Sequence, residues 1–464
     1  MSSVQRWFFY ALLMVGAFLL LFKLGSAPLQ DYDEATFAEV THEAVGGNIL
    51  TLTYLGVPYL NKPPLFFWLA DLSVRAFGEN EFALRFPSAF AGLGLIATTI
   101  ALGDLLGGIS AGLLAGGILA TTAPLIETSR QMRVDPLVTL CIILSTYGFV
   151  RGMKDKRWFL LFGVALGCAI LAKSVIAVFA LFAVCAYAVA LKRFDWAKEK
   201  FFWLGILLCI AVALPWHLYE LMRFGSSFFD QYLSYNVSTR FTEALFSSVT
   251  NTIYARYFFA FGAPWSEIWA LSVLCLLVFW KRIPQIHRPA ITASTVTVFA
   301  IGAVFFLAKT KAITYLLPLY PFIALSLGLW GAMLLRSNAT RNVMKVGAII
   351  VFLTGTVLTI WNGYHLNPYY SASDELAREE KAAAEILAQE HPYDWYSFKD
   401  SEVLSIVYYG GLRYPIPVMP SLSLPRGASV LLYGTSYSEL VADYPKTAWT
   451  VLFKGSQILL LRAS

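Results

Sequence analysis

Hydrophobic runs long enough to cross a bilayer core as helix, about 17–25 residues, recur along this chain. They lie near 7–24, 83–106, 109–128, 135–150, 158–173, 174–191, 201–219, 264–280, 290–307, 313–335 and 346–363. Residues 158–191 read as two spans because Lys173 and Ser174 interrupt the apolar run, and 246–263 reads as a further, partial span. The first run, Trp7 to Leu24, lacks a small-residue cleavage motif and reads as a retained span. The polar stretch between the first two spans, 31–64, carries Asp31, Asp33, Glu34, Glu39 and Lys62. Acids at that position do nothing for insertion and are costly if they enter the hydrocarbon. Chemistry is therefore expected there. Asp31 followed by Glu34 is an acid variant of the capping box. It opens a short helix whose Phe37, Ala38, Val40, Ala44 and Val45 suit a membrane interface. Gly46-Gly47 ends it. Pro63-Pro64 starts a second helix, Leu65 to Phe77, along or dipping into the membrane surface.

The pattern changes after residue 363. A polar helical run, Asp374 to Gln389, precedes short apolar strands at Ser429–Tyr433, Trp449–Phe453 and Ile458–Leu461, with Pro415, Pro417, Pro420 and Pro425 nearby. This predicts a small α/β domain over 364–464, outside the membrane, behind a transmembrane domain over 1–363.

Composition agrees. The 464 residues are 58% hydrophobic and 14% charged, against roughly 25% charged in a soluble protein. Mean hydropathy is +0.63. The net charge of +6 does not signal nucleic acid, because the basic residues are dispersed among the spans. Arg151, Lys154, Lys156 and Arg157 share one loop. Lys192, Arg193, Lys198 and Lys200 share a second, Lys281, Arg282 and Arg288 a third, and Arg336, Arg341 and Lys345 a fourth. With the spans above, all four fall on one side with Arg6, and that side is the cytoplasm. The five cysteines sit inside apolar runs without CxxC spacing and read as small hydrophobes.

The opposite face then holds charges that topology does not require. Arg130, Arg133 and Asp135 close one outer loop. Lys173 interrupts a span, Lys309 and Lys311 flank Thr310 ahead of Tyr315 and Pro318, and Arg223, Arg240 and Arg256 punctuate 220–263. Basic residues at membrane depth suit a lipid phosphate. A carboxylate nearby suits activation of a hydroxyl or binding of a cation. Taken singly, each has a plain structural reading. Asp33 and Glu34 suit a helix N-terminus, Lys62, Lys309 and Lys311 suit snorkelling, and Arg133 with Asp135 suits a surface pair. His217 reads as an interface histidine.

Asp33-Glu34-Ala-Thr-Phe-Ala-Glu39, Lys62-Pro63-Pro64-Leu65 and Arg133-Val-Asp135-Pro136 resemble the protein O-mannosyltransferase and aminoarabinose transferase superfamily of membrane glycosyltransferases. Pro215-Trp216-His217, Arg223-Phe-Gly225 through Arg240-Phe241, and Lys309-Thr-Lys311 with Tyr315 and Pro318 continue the likeness in order, over residues 31 to about 320. The resemblance implies a mainly α polytopic membrane protein with the type C glycosyltransferase fold, about 11–13 transmembrane helices and periplasmic interfacial helices. It implies inverting transfer from a polyprenyl-phosphate-linked sugar to a lipid, glycan or protein acceptor, at the outer face of the inner membrane. It assigns Asp33 as the acid nearest the acceptor, with Glu34 beside it, and Asp135 as the second acid. Lys62, with Arg133, Lys309, Lys311 and Tyr315, would meet the donor phosphate. Arg130, Lys173, His217 and Arg240 are further substrate contacts. In the aminoarabinose transferases a glutamate before Lys-Pro-Pro helps hold zinc, with a histidine in the long loop. Here Asn61 and, nearby, Asn236 stand instead, so strict zinc dependence is not expected. Magnesium or manganese between Asp33 and Asp135 is the alternative. Two other classes compete: a lipid-linked sugar flippase, which needs a path open to both faces, and a sensor, which needs no cations at membrane depth.

Overall fold

The computed structural model describes residues 3–30, 32–243, 250–336, 368–390, 395–398, 404–412, 416–418, 424–433 and 436–463. They form two compact units: Met1–Phe22, Leu60–Leu69 and Arg85–Leu366 in the first, and Lys23–Tyr59, Ala70–Leu84 and Asn367–Ser464 in the second. In chain order the helices are α1 (Ser3–Leu21), α2 (Asp33–Gly46), α3 (Leu65–Phe77), α4 (Glu81–Gly107), α5 (Ile109–Ala120), α6 (Ala123–Ser129), α7 (Asp135–Gly152), α8 (Phe159–Lys173), α9 (Val178–Ala190) and α10 (Lys200–Phe224). They continue as α11 (Ser226–Phe229), α12 (Arg240–Thr242), α13 (Asn251–Gly262), α14 (Trp265–Val278), α15 (Arg288–Leu307), α16 (Tyr320–Arg336), α17 (Pro368–Glu390), α18 (Leu404–Gly410) and α19 (Tyr437–Asp443).

Among the described residues, five helical stretches are long and apolar enough to cross a membrane: Glu81–Gly107, Lys156–Ala190, Lys200–Phe224, Arg288–Leu307 and Ile313–Leu335. Two bent pairs raise this to seven: α5 with α6, at 62°, and α13 with α14, at 103°. The hydrophobic pattern predicts eleven spans. The apolar part of α1 is short, and α7 carries Asp135 at one end and Arg151 at the other. Residues 158–191, read as two spans, form α8 and α9 around a single 3₁₀ turn, and together meet the criterion as one stretch. The expected span at 346–363 lies outside the described residues. The chain is a multi-pass membrane protein. Exposed Trp7, Phe8, Met14 and Phe18 on α1, and Trp203, Leu207, Ile210 and Leu214 on α10, make sense only against lipid. All five cysteines are free thiols.

Helices in lipid gain little from the hydrophobic effect, so small residues let their backbones approach. α8 packs on both α7 and α10. A Cβ at Gly163 of α8 would collide with the Gly205 carbonyl of α10, and one at Gly205 with the Phe159 carbonyl. Gly163→Ala is therefore expected to cost about 1–3 kcal/mol, the usual price of overpacking. Gly302→Ala, where the added atom meets only Leu319 at 3.9 Å, should be near neutral. Thermal unfolding in lipid nanodiscs compares the two, and equal melting temperatures would remove the close crossing from the account.

In the second unit, the tail builds a five-stranded sheet. Its strands are β3 (Trp395–Phe398), β4 (Ile416–Val418), β5 (Ser429–Tyr433), β6 (Trp449–Lys454) and β7 (Ile458–Ala463), in the order β4-β3-β5-β7-β6. The short hairpin strands β1 (Thr53–Tyr54) and β2 (Val57–Pro58) precede them. β3 is parallel to β4 and β5, whereas β7 is antiparallel to β5 and β6. Side chains alternate across a strand, and here both faces are apolar. Trp395, Leu431 and Leu460 meet Ala383 and Leu387 of α17 and Ile406 of α18. Tyr396, Val430, Leu432 and Leu461 meet Leu440 of α19 on the other face. A doubly covered sheet explains why these strands read as unbroken apolar runs. The polar helix predicted from Asp374 begins earlier, at Pro368. The unit also takes in more than the tail. Leu55 packs against the α17 side of its core, the Leu29 N–H donates to the Tyr409 hydroxyl at 2.6 Å, and Lys381 pairs with Glu81 at 2.7 Å.

Candidate active site

The sequence sets the helix ends that carry the charges. α7 opens with Asp135 followed by Pro136, and α8 closes with Lys173, after which Ser174 turns with φ +22°. An acid suits a helix N-terminus and a base a C-terminus. Antiparallel packing of α7 on α8 brings these two ends together. Lys173 Nζ donates to Asp135 Oδ1 at 2.6 Å, with the side chains only 13% and 8% exposed. The Lys173 ammonium also lies over the Tyr315 ring, 4.8 Å from its centre. Arg240 donates to the Tyr315 hydroxyl. The Arg240 Nε is buried and has no hydrogen-bond partner among the described residues.

The segment from Asp230 to Thr242 organises the rest. It winds as a π-type helix over Asp230–Thr239 and ends in α12. Tyr232, Asn236 and Arg240 are four apart and so share one face. Tyr232 is buried among Leu60, Leu171, Trp216 and Phe228. Its hydroxyl meets His217 Nε2 at 2.6 Å and also Ser174, and burial pushes its pKa well above tyrosine's ordinary value. Asn236 accepts from Lys62 Nζ at 3.4 Å and donates to the carbonyls of Asn61 and Tyr232, both at 3.0 Å. The backbone of Lys309 and Thr310 then clamps this segment: their N–H groups donate to the carbonyls of Phe241 and Arg240, and the Thr310 hydroxyl donates to the Glu243 carbonyl.

The first unit thus gathers Lys62, Asp135, Lys173, His217, Arg240 and Tyr315 into one connected set. Other predicted residues have different employment. Arg130 donates to the carbonyls of Leu19 and Phe22, at the C-terminal end of α1. Arg133 does not form the expected pair with Asp135, which Lys173 holds instead. Its Nε donates to Gln131, and its backbone is pinned by Ser88 of α4. Lys311 is buried and directs its ammonium at the carbonyls of Phe305, Phe306 and Ala308, closing the end of α15. That accounts for its three N–H donors. Lys309 is exposed. His217 has both ring nitrogens engaged, on the Ala213 carbonyl and the Tyr232 hydroxyl, as befits a positioning residue. In the second unit, Asp33 is the exposed first residue of α2. Glu34 is buried and accepts from the Gln30 N–H at 2.9 Å, so it fastens the helix entry. Asp31 lies outside the described residues. Tyr232 and Ser174 were missed in the sequence. The four-residue spacing of Tyr232, Asn236 and Arg240 was the available signal.

Known proteins resemble this arrangement and its sequence. The family model for dolichyl-phosphate-mannose-protein mannosyltransferase matches residues 61–219. The undecaprenyl phosphate-alpha-4-amino-4-deoxy-L-arabinose arabinosyl transferase of Enterobacter sp. (strain 638) is 26% identical over 396 residues, 81% of this chain and 69% of that protein. Its counterpart in Aeromonas hydrophila is 30% identical over 46% of this chain and 40% of its own. ArnT from Cupriavidus metallidurans, crystallised with undecaprenyl phosphate, superposes with a TM-score of 0.73 over 99% of this chain and 98% of its own, at 16% identity. The family model, the relatives and the fold all support the polyprenyl-phosphate-dependent glycosyltransferase superfamily. The archaeal oligosaccharyltransferase AglB from Archaeoglobus fulgidus shares the fold more distantly, with a TM-score of 0.54 at 10% identity, over 89% of this chain and 64% of its own.

The metal that this superfamily implies can be tested against the residues. The two positions concerned, 61 and 236, do meet in space, but through the Asn236 amide donating to the Asn61 backbone carbonyl, with the Lys62 ammonium on the Asn236 oxygen. The buried Asn61 Oδ1 has no hydrogen-bond partner among the described residues. Neutral amides next to a lysine are a poor zinc site. At Asp135 the ammonium of Lys173 already occupies a carboxylate oxygen. No group of three or more His, Cys, Asp or Glu side chains gathers among the described residues. Turnover is expected to persist after dialysis against EDTA. Complete loss, restored by zinc alone, would contradict this assignment.

Proposed function

We propose that the first unit's cationic set receives the phosphate of an undecaprenyl-phosphate-linked sugar, and that the enzyme transfers this sugar with inversion to a surface lipid, glycan or protein. The observation that carries this reading is the buried Arg240 Nε, a donor without an acceptor among the described residues, beside Tyr315, whose ring carries the Lys173 ammonium, and four residues from Asn236, the partner of Lys62. An arginine fork and two ammonium groups suit the donor's phosphodiester, and suit still better the monoester left when the sugar departs. The acceptor's nucleophilic atom attacks the anomeric carbon while the bond from that carbon to the phosphate oxygen breaks. The electron pair leaves with the polyprenyl phosphate, whose growing charge the cations stabilise. Asp135 holds Lys173 in place. The family resemblance gives Asp33 the acceptor's proton. The donor named for the arabinosyl relatives favours a pentose, and Asn61 in place of glutamate leaves room for a hexose.

The test is turnover in nanodiscs with a short-chain polyprenyl-phosphate sugar. Release of free polyprenyl phosphate is expected, whereas a flippase releases none. Mass spectrometry of surface glycolipids and glycoproteins, with and without the protein, then names the sugar and acceptor. For orientation, cysteines placed in the 43–60 loop and after residue 364 should both react with a membrane-impermeant reagent from outside the cell. Labelling from the cytoplasm alone would reverse the topology.

A further inference from the structure

The second unit holds a cleft of about 460 Å³ lined by none of the residues assigned to the transfer reaction. Its wall comes from three separate segments: α2, the turn from α3 into α4, and the tail helices α17 and α18. Two adjacent tyrosines, Tyr408 and Tyr409, stand edge to face with ring centres 5.4 Å apart. Each hydroxyl is fixed by a carboxylate: Tyr408 donates to Glu79 at 3.0 Å, and Tyr409 to Glu81 at 3.1 Å. His42 Nδ1 meets the same Glu79 oxygen at 2.8 Å, and Lys381 meets the same Glu81 oxygen at 2.7 Å. The third carboxylate, Glu39, also lines the cleft and has no hydrogen-bond partner among the described residues. Burial raises its pKa above the ordinary glutamate value, with His42 opposing and Glu43 and Glu79 adding to the rise.

We infer that this cleft binds a hydroxyl-rich saccharide that is neutral or carries an amino group, and that it excludes anionic sugars. Carboxylates only accept hydrogen bonds when ionised, so they suit the donors of sugar hydroxyls or an ammonium. The Lys381 ammonium lies over the Tyr409 ring, 4.6 Å from its centre, so Tyr408 is the ring that suits the apolar face of a pyranose, and a volume within the usual range of ligand sites, about 300–1,000 Å³, admits one. The three carboxylates outnumber Lys381 and His42 together and leave the site negative, which repels uronates and phosphosugars. Glu79 and Glu81 are already committed to protein donors, so Glu39 is the acceptor most available to a ligand.

The test measures binding to the full chain in phosphatidylcholine nanodiscs, because glycoside detergents would themselves compete. Calorimetry with the β-1,4-linked glucosamine disaccharide, di-N-acetylchitobiose and digalacturonate should give an affinity order of amine, then acetamide, with no binding of the uronate. Glu39→Gln should weaken the amine ligand at least tenfold, and Tyr408→Leu should weaken both binders. Each variant is first checked for an unchanged melting temperature; if Glu39→Gln fails to fold, Tyr408→Leu decides. Equal binding of digalacturonate would overturn the inference, as would no binding of any saccharide or indifference to a folded Tyr408→Leu. Competition by putrescine at the same concentration as the disaccharide would also overturn it, because the site would then take an ammonium such as a peptide lysine.

Discussion

Asp33→Asn is expected to lower turnover by about 10²- to 10⁴-fold, the usual cost of losing a general base, with the affinity for the polyprenyl-phosphate donor unchanged. A group that takes a proton from the nucleophile acts in the transition state, so its loss appears in kcat and not in ground-state binding. Asp33 is exposed at the start of α2, whereas its neighbour Glu34 is buried and ties down the helix entry. Asp33→Asn should therefore leave the melting temperature unchanged, and Glu34→Ala should lower it. Donor binding, turnover and melting on the same samples separate the roles. Near-normal turnover in a folded Asp33→Asn would reduce Asp33 to a favourable helix-dipole contact.

Lys173→Met should be damaging in a different way. It leaves Asp135 almost buried without its counterion, and breaking a buried pair from one side typically costs about 3–5 kcal/mol. It also removes a cation from the proposed phosphate site, so donor affinity and turnover should both fall. The double variant Asp135→Leu/Lys173→Met distinguishes architecture from chemistry. Replacing both partners of a buried pair by apolar groups is often neutral or stabilising, so melting should recover while turnover stays lost. Recovery of both would make the pair a structural latch between α7 and α8.

Much of the local structure is legible in the order of residues. Pro63-Pro64 places the start of α3 at Leu65, and Gly46-Gly47 ends α2 at Gly46. The apolar strands β5, β6 and β7 begin at the predicted residues. These features rest on backbone restrictions and side-chain periodicity, which act over a few residues. Charge at membrane depth likewise pointed to Lys62, Asp135, Lys173 and Arg240, because such charges are too costly to be common.

The partners of those charges follow from how the helices pack. Lys309 and Lys311 look equivalent in sequence, two residues apart. One is exposed, with its backbone clamping Phe241, while the other is buried on the carbonyls that end α15. Arg133 and Asp135 look like a pair, yet antiparallel packing gives Asp135 to Lys173, 38 residues on. Asn61 and Asn236 meet across 175 residues of chain. A hydrogen bond is specified by position within about 3 Å. Composition and spacing name the groups able to make it, but helix packing selects the partner.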